Sequence, residues 1–173
     1  MAELEILCVN DILKQAVKEV KKCYNVPELS ELVKTQKFSD VTVSLEQSAH
    51  KIYRKAERKA LKSYLSKKGL EPKIAEKAVK LFLDKGLGTT IANIRRSRAG
   101  STSEVILRTM LDAAGIKCEK GKVKIGGYRP DVVVPSNAEL KKSKKKGIAI
   151  SVKRTLRERW SEDIDVFRFP TQV

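Results

Sequence analysis

The chain has 173 residues, in which 37 lysines and arginines outnumber 21 aspartates and glutamates and give a net charge of +16. This length suits one domain, or one domain with a small helical appendage, and no apolar run approaches the roughly 18–20 residues that span a membrane. Three widely spaced cysteines argue against a disulfide framework or a zinc site, so we expect a cytoplasmic protein with reduced thiols and no membrane partner.

The first ninety residues are predicted to form a basic, helical subdomain. Apolar spacing predicts three helices: one capped by Asn10 or Asp11, one over Ser48–Ser66, and one from Pro72 to about Gly86. Between the first two helices, Phe38–Leu45 alternates weakly between apolar and polar residues. This segment is either a short strand or an extended connector.

The remaining residues follow a different pattern, in which short strands lie between helices. The helical part is predicted as a helix at Thr89–Arg95, a loop at Arg96–Gly100 and a helix at Ser101–Ala114. The strand candidates are Ile116–Glu119, Lys122–Ile125, Asp131–Pro135 and Gly147–Lys153. A lysine-rich loop at 139–146 joins the last two strands, and Thr155 can begin a final helix. This order predicts a mixed α/β fold with a small sheet.

Positive charge is concentrated in two segments. Residues 1–48 have a net charge of −2, whereas residues 49–80 hold eleven basic and three acidic residues, a net of +8. Residues 137–160 hold nine basic and two acidic residues, a net of +7. Lysine-rich helices can simply be solvated, as in heat-tolerant proteins. A field this concentrated nevertheless favours a polyanion, and we predict nucleic acid as the partner.

The residue types that are missing narrow the chemistry. His50 is the only histidine, and the sequence contains no G-x-x-x-x-G-K-[ST] loop to bind a nucleotide phosphate. We therefore expect no nucleotide cofactor. A reaction on this chain would depend on carboxylates, lysine and a hard cation.

The two stronger strands can bring such groups together. If they pair antiparallel, Ser151 and Lys153 share one face, because side chains alternate along a strand. A register with Val132 opposite Val152 would place Asp131 directly opposite Lys153 on that face. The sequence therefore predicts a carboxylate and an ammonium group at one end of the sheet.

A second carboxylate could come from Glu104 on the preceding helix. Two carboxylates suit Mg²⁺, and a lysine can orient the attacking water or offset charge on a scissile phosphate. This is the chemistry of metal-assisted phosphodiester hydrolysis. A structural interpretation stays open for Glu104, because Ser101-x-x-Glu104 has the pattern of a capping box.

Two motifs carry a resemblance to a known family. The segments Arg129-Pro-Asp-Val-Val-Val-Pro135 and Ala149-Ile-Ser-Val-Lys153 resemble the PD-(D/E)XK nuclease signature, over about residues 95–165. The continuation to Trp160 is similar to a run found in type II restriction endonucleases. The resemblance implies a nuclease-like core at 91–173 with a small central mixed sheet flanked by helices. It says nothing about the helical subdomain that apolar spacing predicts at 1–90. It also implies Mg²⁺ as cofactor, Asp131 as metal ligand, Lys153 as catalytic lysine and Glu104 as helix glutamate.

The sequence departs from the family pattern at Ser151, where an acidic residue is usual. A related branch of restriction enzymes also has serine there and recovers the carboxylate from the following helix. By that resemblance, Glu162 is the first candidate for the replacement ligand, with Asp163 and Asp165 behind it. Similar enzymes usually continue beyond this point, so we expect either a compact member or part of a longer protein.

The same branch has an R-(D/E)-R element that reads CC and GG base steps. Here the element would be Arg157, Glu158 and Arg159. Arginine can bond guanine O6 and N7 in the major groove, and glutamate can accept a hydrogen bond from cytosine N4. The residues expected to contact the DNA backbone are Arg95, Arg96, Arg98, Lys144, Lys145 and Arg154.

These features predict a Mg²⁺-dependent, site-specific endonuclease that acts on double-stranded DNA as a homodimer at a GC-rich, near-palindromic site. Two alternatives stay open. One is a repair or junction-resolving nuclease of the same superfamily, and the other is a non-catalytic DNA-binding protein, which the serine at 151 and the lysine content suggest.

Overall fold

The computed structural model describes residues 7–85, 89–125, 127–143 and 147–152. Its elements in chain order are α1 (Val9–Cys23), α2 (Leu29–Thr35), α3 (Phe38–Lys67), α4 (Pro72–Lys85), α5 (Thr89–Ala113), β1 (Glu119–Lys120), β2 (Val132–Val134), α6 (Asn137–Lys142) and β3 (Ile148–Ile150). Contacts divide the chain into two compact units, Met1–Ile106 and Leu107–Val173. The subdomain boundary predicted near residue 90 stays a prediction. None of the helices in the described ranges is long and apolar enough to cross a bilayer.

The core of the first unit is built on α3, a helix of 30 residues. Val41, Leu45, Ala49 and Ile52 are buried along it, at intervals of three or four residues. They pack against α1, whose buried side chains are Ile12, Leu13, Ala16 and Val20. Each of the valine, leucine and isoleucine side chains contributes about 1.5–3 kcal/mol when it is fully buried. Because this stripe continues through Phe38–Leu45, the strand or connector predicted there is wrong.

Two further helices complete the described packing of this unit. Pro72 is the first residue of α4, as its fixed φ predicts. Ala75, Val79 and Leu83 of α4 are buried at intervals of four residues, and α4 packs on α3. The short helix α2 was not predicted, and it buries Leu29 and Leu32.

Helix α5 is continuous over 25 residues, so the loop predicted at Arg96–Gly100 is wrong. The hydroxyls of Ser101 and Thr102 donate to the backbone carbonyls four residues earlier, at 3.1 and 2.7 Å. Hydroxyls that bond back in this way are compatible with a helix interior. Glu104 therefore lies inside a helix, and the capping-box interpretation is also wrong. Gly115 ends the helix with φ of 75°, as predicted.

The second unit contains a three-stranded antiparallel sheet with β2 in the centre. Val132 and Val133 of β2 are fully buried. The predicted strand at Lys122–Ile125 contributes only an isolated bridge, between Ile125 and Tyr128. The predicted mixed α/β fold is confirmed as a helix-rich chain with one small sheet, and the sheet in the described residues is antiparallel throughout.

The loop predicted between the last two strands begins as a helix, α6. The Ser136 hydroxyl caps it by accepting a hydrogen bond from the Glu139 backbone amide at 3.2 Å. Asn137 joins this helix to β1, because its backbone and side-chain amides both donate to Glu119 Oε2, at 3.0 and 2.8 Å. Its own Oδ1 accepts from the Lys122 backbone amide at 2.7 Å. Asn137 thus holds α6 against both β1 and the segment that follows β1.

The contact with Asn137 predicts how stability depends on pH. Hydrogen bonds from the Asn137 backbone and side-chain amides lower the pKa of Glu119. A carboxyl group with a lowered folded-state pKa stabilises the fold above its unfolded pKa, which is about 4.3, and loses that contribution as the pH falls through the folded value. We expect urea unfolding to show declining stability below about pH 4.3, and Glu119→Gln to flatten part of that decline. The same slope in Glu119→Gln and the parent chain would contradict this linkage.

Candidate active site

Asp131 lies directly before β2 and is held between both neighbouring strands. Its backbone amide donates to the Ile150 carbonyl at 3.0 Å, and its carbonyl accepts from the Gly121 amide at 3.1 Å. A Cβ atom at position 121 would lie only 1.9 Å from the Pro130 carbonyl oxygen. Only glycine therefore permits this close approach, which fixes the backbone at Asp131.

The Asp131 carboxylate is anchored by a backbone amide. Its Oδ2 accepts a hydrogen bond from the Val152 amide at 2.7 Å, and the side chain is half-buried. Within the described residues this is the one hydrogen bond of the carboxylate, which leaves Oδ1 to bind another group. A carboxylate that is anchored in this way has the donor chemistry of a ligand for a hard cation.

The strand register differs from the predicted one by two residues. Val132 pairs with Ile150 and not with Val152, so the next position along the pairing sets Asp131 beside Ser151. The prediction that Asp131 lies directly opposite Lys153 is therefore wrong. Because side chains repeat with a period of two, the shift keeps Asp131 and Ser151 on one face.

Ser151 has a partner that the sequence did not suggest. The Tyr128 hydroxyl donates to Ser151 Oγ, and both side chains are half-buried. Tyr128 precedes the Arg129-Pro130-Asp131 segment, but no spacing rule connects it to residue 151. The described end of the sheet thus combines one carboxylate with two hydroxyl groups.

Glu104 lies inside α5 in the first unit, whereas Asp131 lies in the second unit. Its proposed role as a second metal ligand stays a prediction. In the described ranges of the chain, no three histidine, cysteine, aspartate or glutamate side chains form a group that could hold a metal ion. The residues predicted to complete the site and to contact DNA that lie outside the described residues are Lys144, Lys145, Lys153, Arg154, Arg157, Glu158, Arg159 and Glu162.

A buried charge cluster in the first unit includes one of the arginines predicted to contact phosphates. Glu57 of α3 is 2% exposed. Arg95 of α5 donates to both of its carboxylate oxygens at 3.0 Å, and Tyr53 donates to it at 3.2 Å. The hydrogen bond to Glu57 raises the pKa of Arg95, and burial followed by the negative charge of Glu57 raises the pKa of Tyr53. Arg95 thus has an internal partner. The feature of the sequence that could have indicated this ion pair is Glu57, a single glutamate among the basic residues in the second half of α3.

The neighbouring arginines have different environments. Arg98 donates to the Leu7 carbonyl at 3.2 Å, and its guanidinium lies 5.4 Å from the centre of the Tyr53 ring. The side chain of Arg96 lies outside the described residues. Backbone contact with DNA stays a prediction for all three arginines.

Comparison with solved structures defines the class of fold. The chain is similar to the restriction endonuclease PspGI in its substrate DNA complex, with 25% identity and a TM-score of 0.68 over 93% of this chain and 61% of that chain. It is also similar to metal-depleted Ecl18kI in complex with uncleaved, modified DNA, with 22% identity and a TM-score of 0.61 over 89% of this chain and 56% of that one. The fold is therefore that of the restriction endonucleases.

A family comparison gives the more specific assignment. The model of the EcoRII C-terminal family matches residues 53–165, which is more than half of the chain. The chain belongs to this family. It spans less than two thirds of the length of PspGI and Ecl18kI. No curated protein matches it.

Proposed function

We propose that this chain is the DNA-cleaving core of a type II restriction endonuclease, which hydrolyses phosphodiester bonds of double-stranded DNA with Mg²⁺. The observation that carries the proposal is the anchored carboxylate of Asp131 beside Ser151, at the end of the paired strands β2 and β3. Membership of the EcoRII C-terminal family supports it, as does the similarity to PspGI and Ecl18kI, which were both solved with DNA.

We propose magnesium as the cofactor, and the anchored carboxylate of Asp131 supports this proposal. Mg²⁺ prefers oxygen ligands, keeps several of its waters, and commonly takes one or two protein carboxylates together with substrate phosphates. We propose that Asp131 supplies one such carboxylate, that Glu104 supplies a second, and that Glu162 replaces the carboxylate that is missing at position 151. When bound, the ion would offset negative charge at the scissile phosphate.

Residues of the chain itself would have separate roles in positioning and in charge stabilisation. Asp131 holds its place through the hydrogen bond from Val152, so its carboxylate needs little reorganisation. Tyr128 keeps the Ser151 hydroxyl in a defined position on the same face. Lys153 follows two residues later in the sequence, and we propose that its ammonium group orients the attacking water or offsets charge on the phosphate.

Base reading is proposed for Arg157, Glu158 and Arg159, which would select a GC-rich site containing CC/GG steps. The residues proposed to contact the DNA backbone are Arg95, Arg96, Arg98, Lys144, Lys145 and Arg154. Such a site is read by a homodimer when it is near-palindromic. We place the protein in the cytoplasm, in keeping with the free cysteines in the structure.

Cleavage followed by sequencing of the DNA ends tests the proposal. We expect Mg²⁺-dependent fragments with constant ends at GC-rich sites, and a loss of cleavage of at least about a hundredfold in Lys153→Ala, because a lost charge interaction of several kcal/mol slows the reaction tenfold for each 1.36 kcal/mol. Equal cleavage by both proteins would contradict the mechanism, and ends found only in AT-rich sequence would contradict the base reading.

Ser151 occupies a position where the family pattern has an acidic residue. This difference favours one alternative function, that of a DNA-binding protein without catalytic activity. Tight duplex binding without metal-dependent cutting would select it. Cleavage restricted to branched or mismatched DNA would instead select a repair nuclease of the same superfamily.

A further inference from the structure

A groove of about 520 Å³ lies between α3 and α4 in the first unit, and positively charged side chains dominate its lining. We call it the basic groove and define it by its five cations, Lys55, Arg58, Lys59, Lys62 and Lys80. All five residues are exposed to solvent. All five lie in the basic segment 49–80, although none of them was named individually as a DNA contact from the sequence.

The arrangement follows from helical spacing. The four α3 cations recur at intervals of three, one and three residues from Lys55 to Lys62, which places them on one face of the helix. Lys80 lies on α4, which forms the opposite wall of the groove. The neighbouring residue Val79 is buried in the core and fixes the orientation of α4. Two helices therefore direct like charges into the same space.

The charges in the groove are not balanced. Its described lining contains one carboxylate, that of Glu76, which lies 3.2 Å from Lys62 Nζ. This pair links α3 to α4 and leaves four cations without a carboxylate in the lining. Like charges that face each other across a narrow cleft repel, and a bound anion removes that cost and raises the local anion concentration.

We propose that the basic groove binds consecutive phosphates of a DNA duplex backbone, as a contact additional to those of the proposed nuclease site. The α3 cations extend over about 10 Å at 1.5 Å per residue. This length is sufficient to contact neighbouring phosphates of one strand, whose axial rise is about 3.4 Å and whose separation along the backbone is larger. No aromatic ring is among the described lining residues, so the groove does not offer a stacking surface for unstacked bases. Its contacts would strengthen and position binding without reading sequence.

The inference rests on DNA being the partner in the proposed function. It can be tested independently of cleavage, because sequence-independent binding to phosphates has its own signature. The slope of log affinity against log salt concentration is negative. On duplex DNA, each phosphate contact that is lost reduces the magnitude of this slope by about 0.9.

The test compares two variants that lose the same charge. The groove variant carries Lys55→Gln, Arg58→Gln, Lys59→Gln and Lys80→Gln, and it retains the Lys62–Glu76 pair. The control variant carries Lys14→Gln, Lys18→Gln, Lys22→Gln and Lys34→Gln, which are exposed positions on α1 and α2 of the same unit. Circular dichroism and urea unfolding of both variants verify that they are folded.

Binding is measured by fluorescence anisotropy on a labelled duplex without CC/GG steps, across a salt series. We expect the groove variant to lower the salt slope by roughly 2–4 and to weaken binding at low salt by about 10- to 1,000-fold. The control variant is expected to change the slope by less than about 1. Equal losses in the two variants would overturn the proposal, because overall charge would then explain both.

Cleavage measured on the same proteins separates this inference from the proposed function. If the groove variant keeps the parent salt slope while the parent chain cleaves DNA, the groove proposal is wrong and the nuclease proposal stands. If the parent chain never cleaves DNA but the groove variant alone loses its salt slope, the groove proposal stands and the nuclease proposal fails.

Discussion

Asp131→Asn is expected to slow DNA cleavage by about a thousandfold while the chain stays folded and binds duplex DNA normally. Asparagine has nearly the same shape, and its amide oxygen can still accept the hydrogen bond that Val152 donates to Asp131 Oδ2 at 2.7 Å. The substitution removes the negative charge that would hold the cation. A loss of about 4 kcal/mol of charge stabilisation corresponds to about three powers of ten in rate.

Single-turnover cleavage with saturating Mg²⁺ measures this effect, and urea unfolding verifies the fold. The matched control is Asp112→Asn, an exposed aspartate of the same unit that accepts a hydrogen bond from Cys118 Sγ at 3.7 Å. We expect the control to cleave at the parent rate. An Asp131→Asn protein that is folded and cleaves within a few-fold of the parent would remove Asp131 from the site.

Helices α1 and α4, and most of α3, could be predicted because each buries a stripe of apolar residues at local spacing. Pro72 marks a helix start and Gly115 marks a helix end. The fixed φ of proline and the positive φ that glycine accepts are local properties, which do not depend on tertiary contacts. The errors occurred where two local patterns competed. Val41, Val43 and Leu45 alternate like a strand, but Val41 and Leu45 also begin the buried stripe of α3, and burial against α1 decides between the two.

The strand pairing illustrates a different limit. Alternation along a strand fixes which side chains share a face, and the expectation that Asp131 and Ser151 share one agrees with the register. It does not fix the offset between the strands, since a shift of two residues leaves every face unchanged. The observed offset depends on contacts that span about twenty residues of sequence, such as Val152 to Asp131 and Tyr128 to Ser151.

The predicted phosphate contact of Arg95 also rests on local sequence alone. Three arginines within four residues suggest a phosphate-binding cluster, because sequence proximity is all that the pattern reveals. Glu57 lies 38 residues earlier and accepts both hydrogen bonds from Arg95. A buried acid in a basic helix therefore indicates an internal ion pair more strongly than the arginines indicate an external ligand.

That ion pair gives the second large expected effect. We expect Glu57→Ala to lower the free energy of unfolding by about 3 kcal/mol, because it leaves the Arg95 guanidinium and the Tyr53 hydroxyl in place without their acceptor. Glu57→Gln keeps an acceptor oxygen and is expected to lose less. Urea unfolding of the intact chain measures both changes, and the urea concentration at the midpoint is compared at constant m value.

Two matched variants distinguish a buried ion pair from a general effect of removing acid. Glu76→Gln breaks an exposed pair with Lys62, 3.2 Å long, and is expected to cost less than about 1 kcal/mol. The double variant Glu57→Leu with Arg95→Met replaces this ion pair by apolar groups and is expected to recover part of the loss, because Arg54 and Tyr53 also lose their contact with Glu57. If Glu57→Ala costs no more than Glu76→Gln, the cluster does not hold α3 against α5. Arg95 would then be available for the phosphate contact predicted from the sequence.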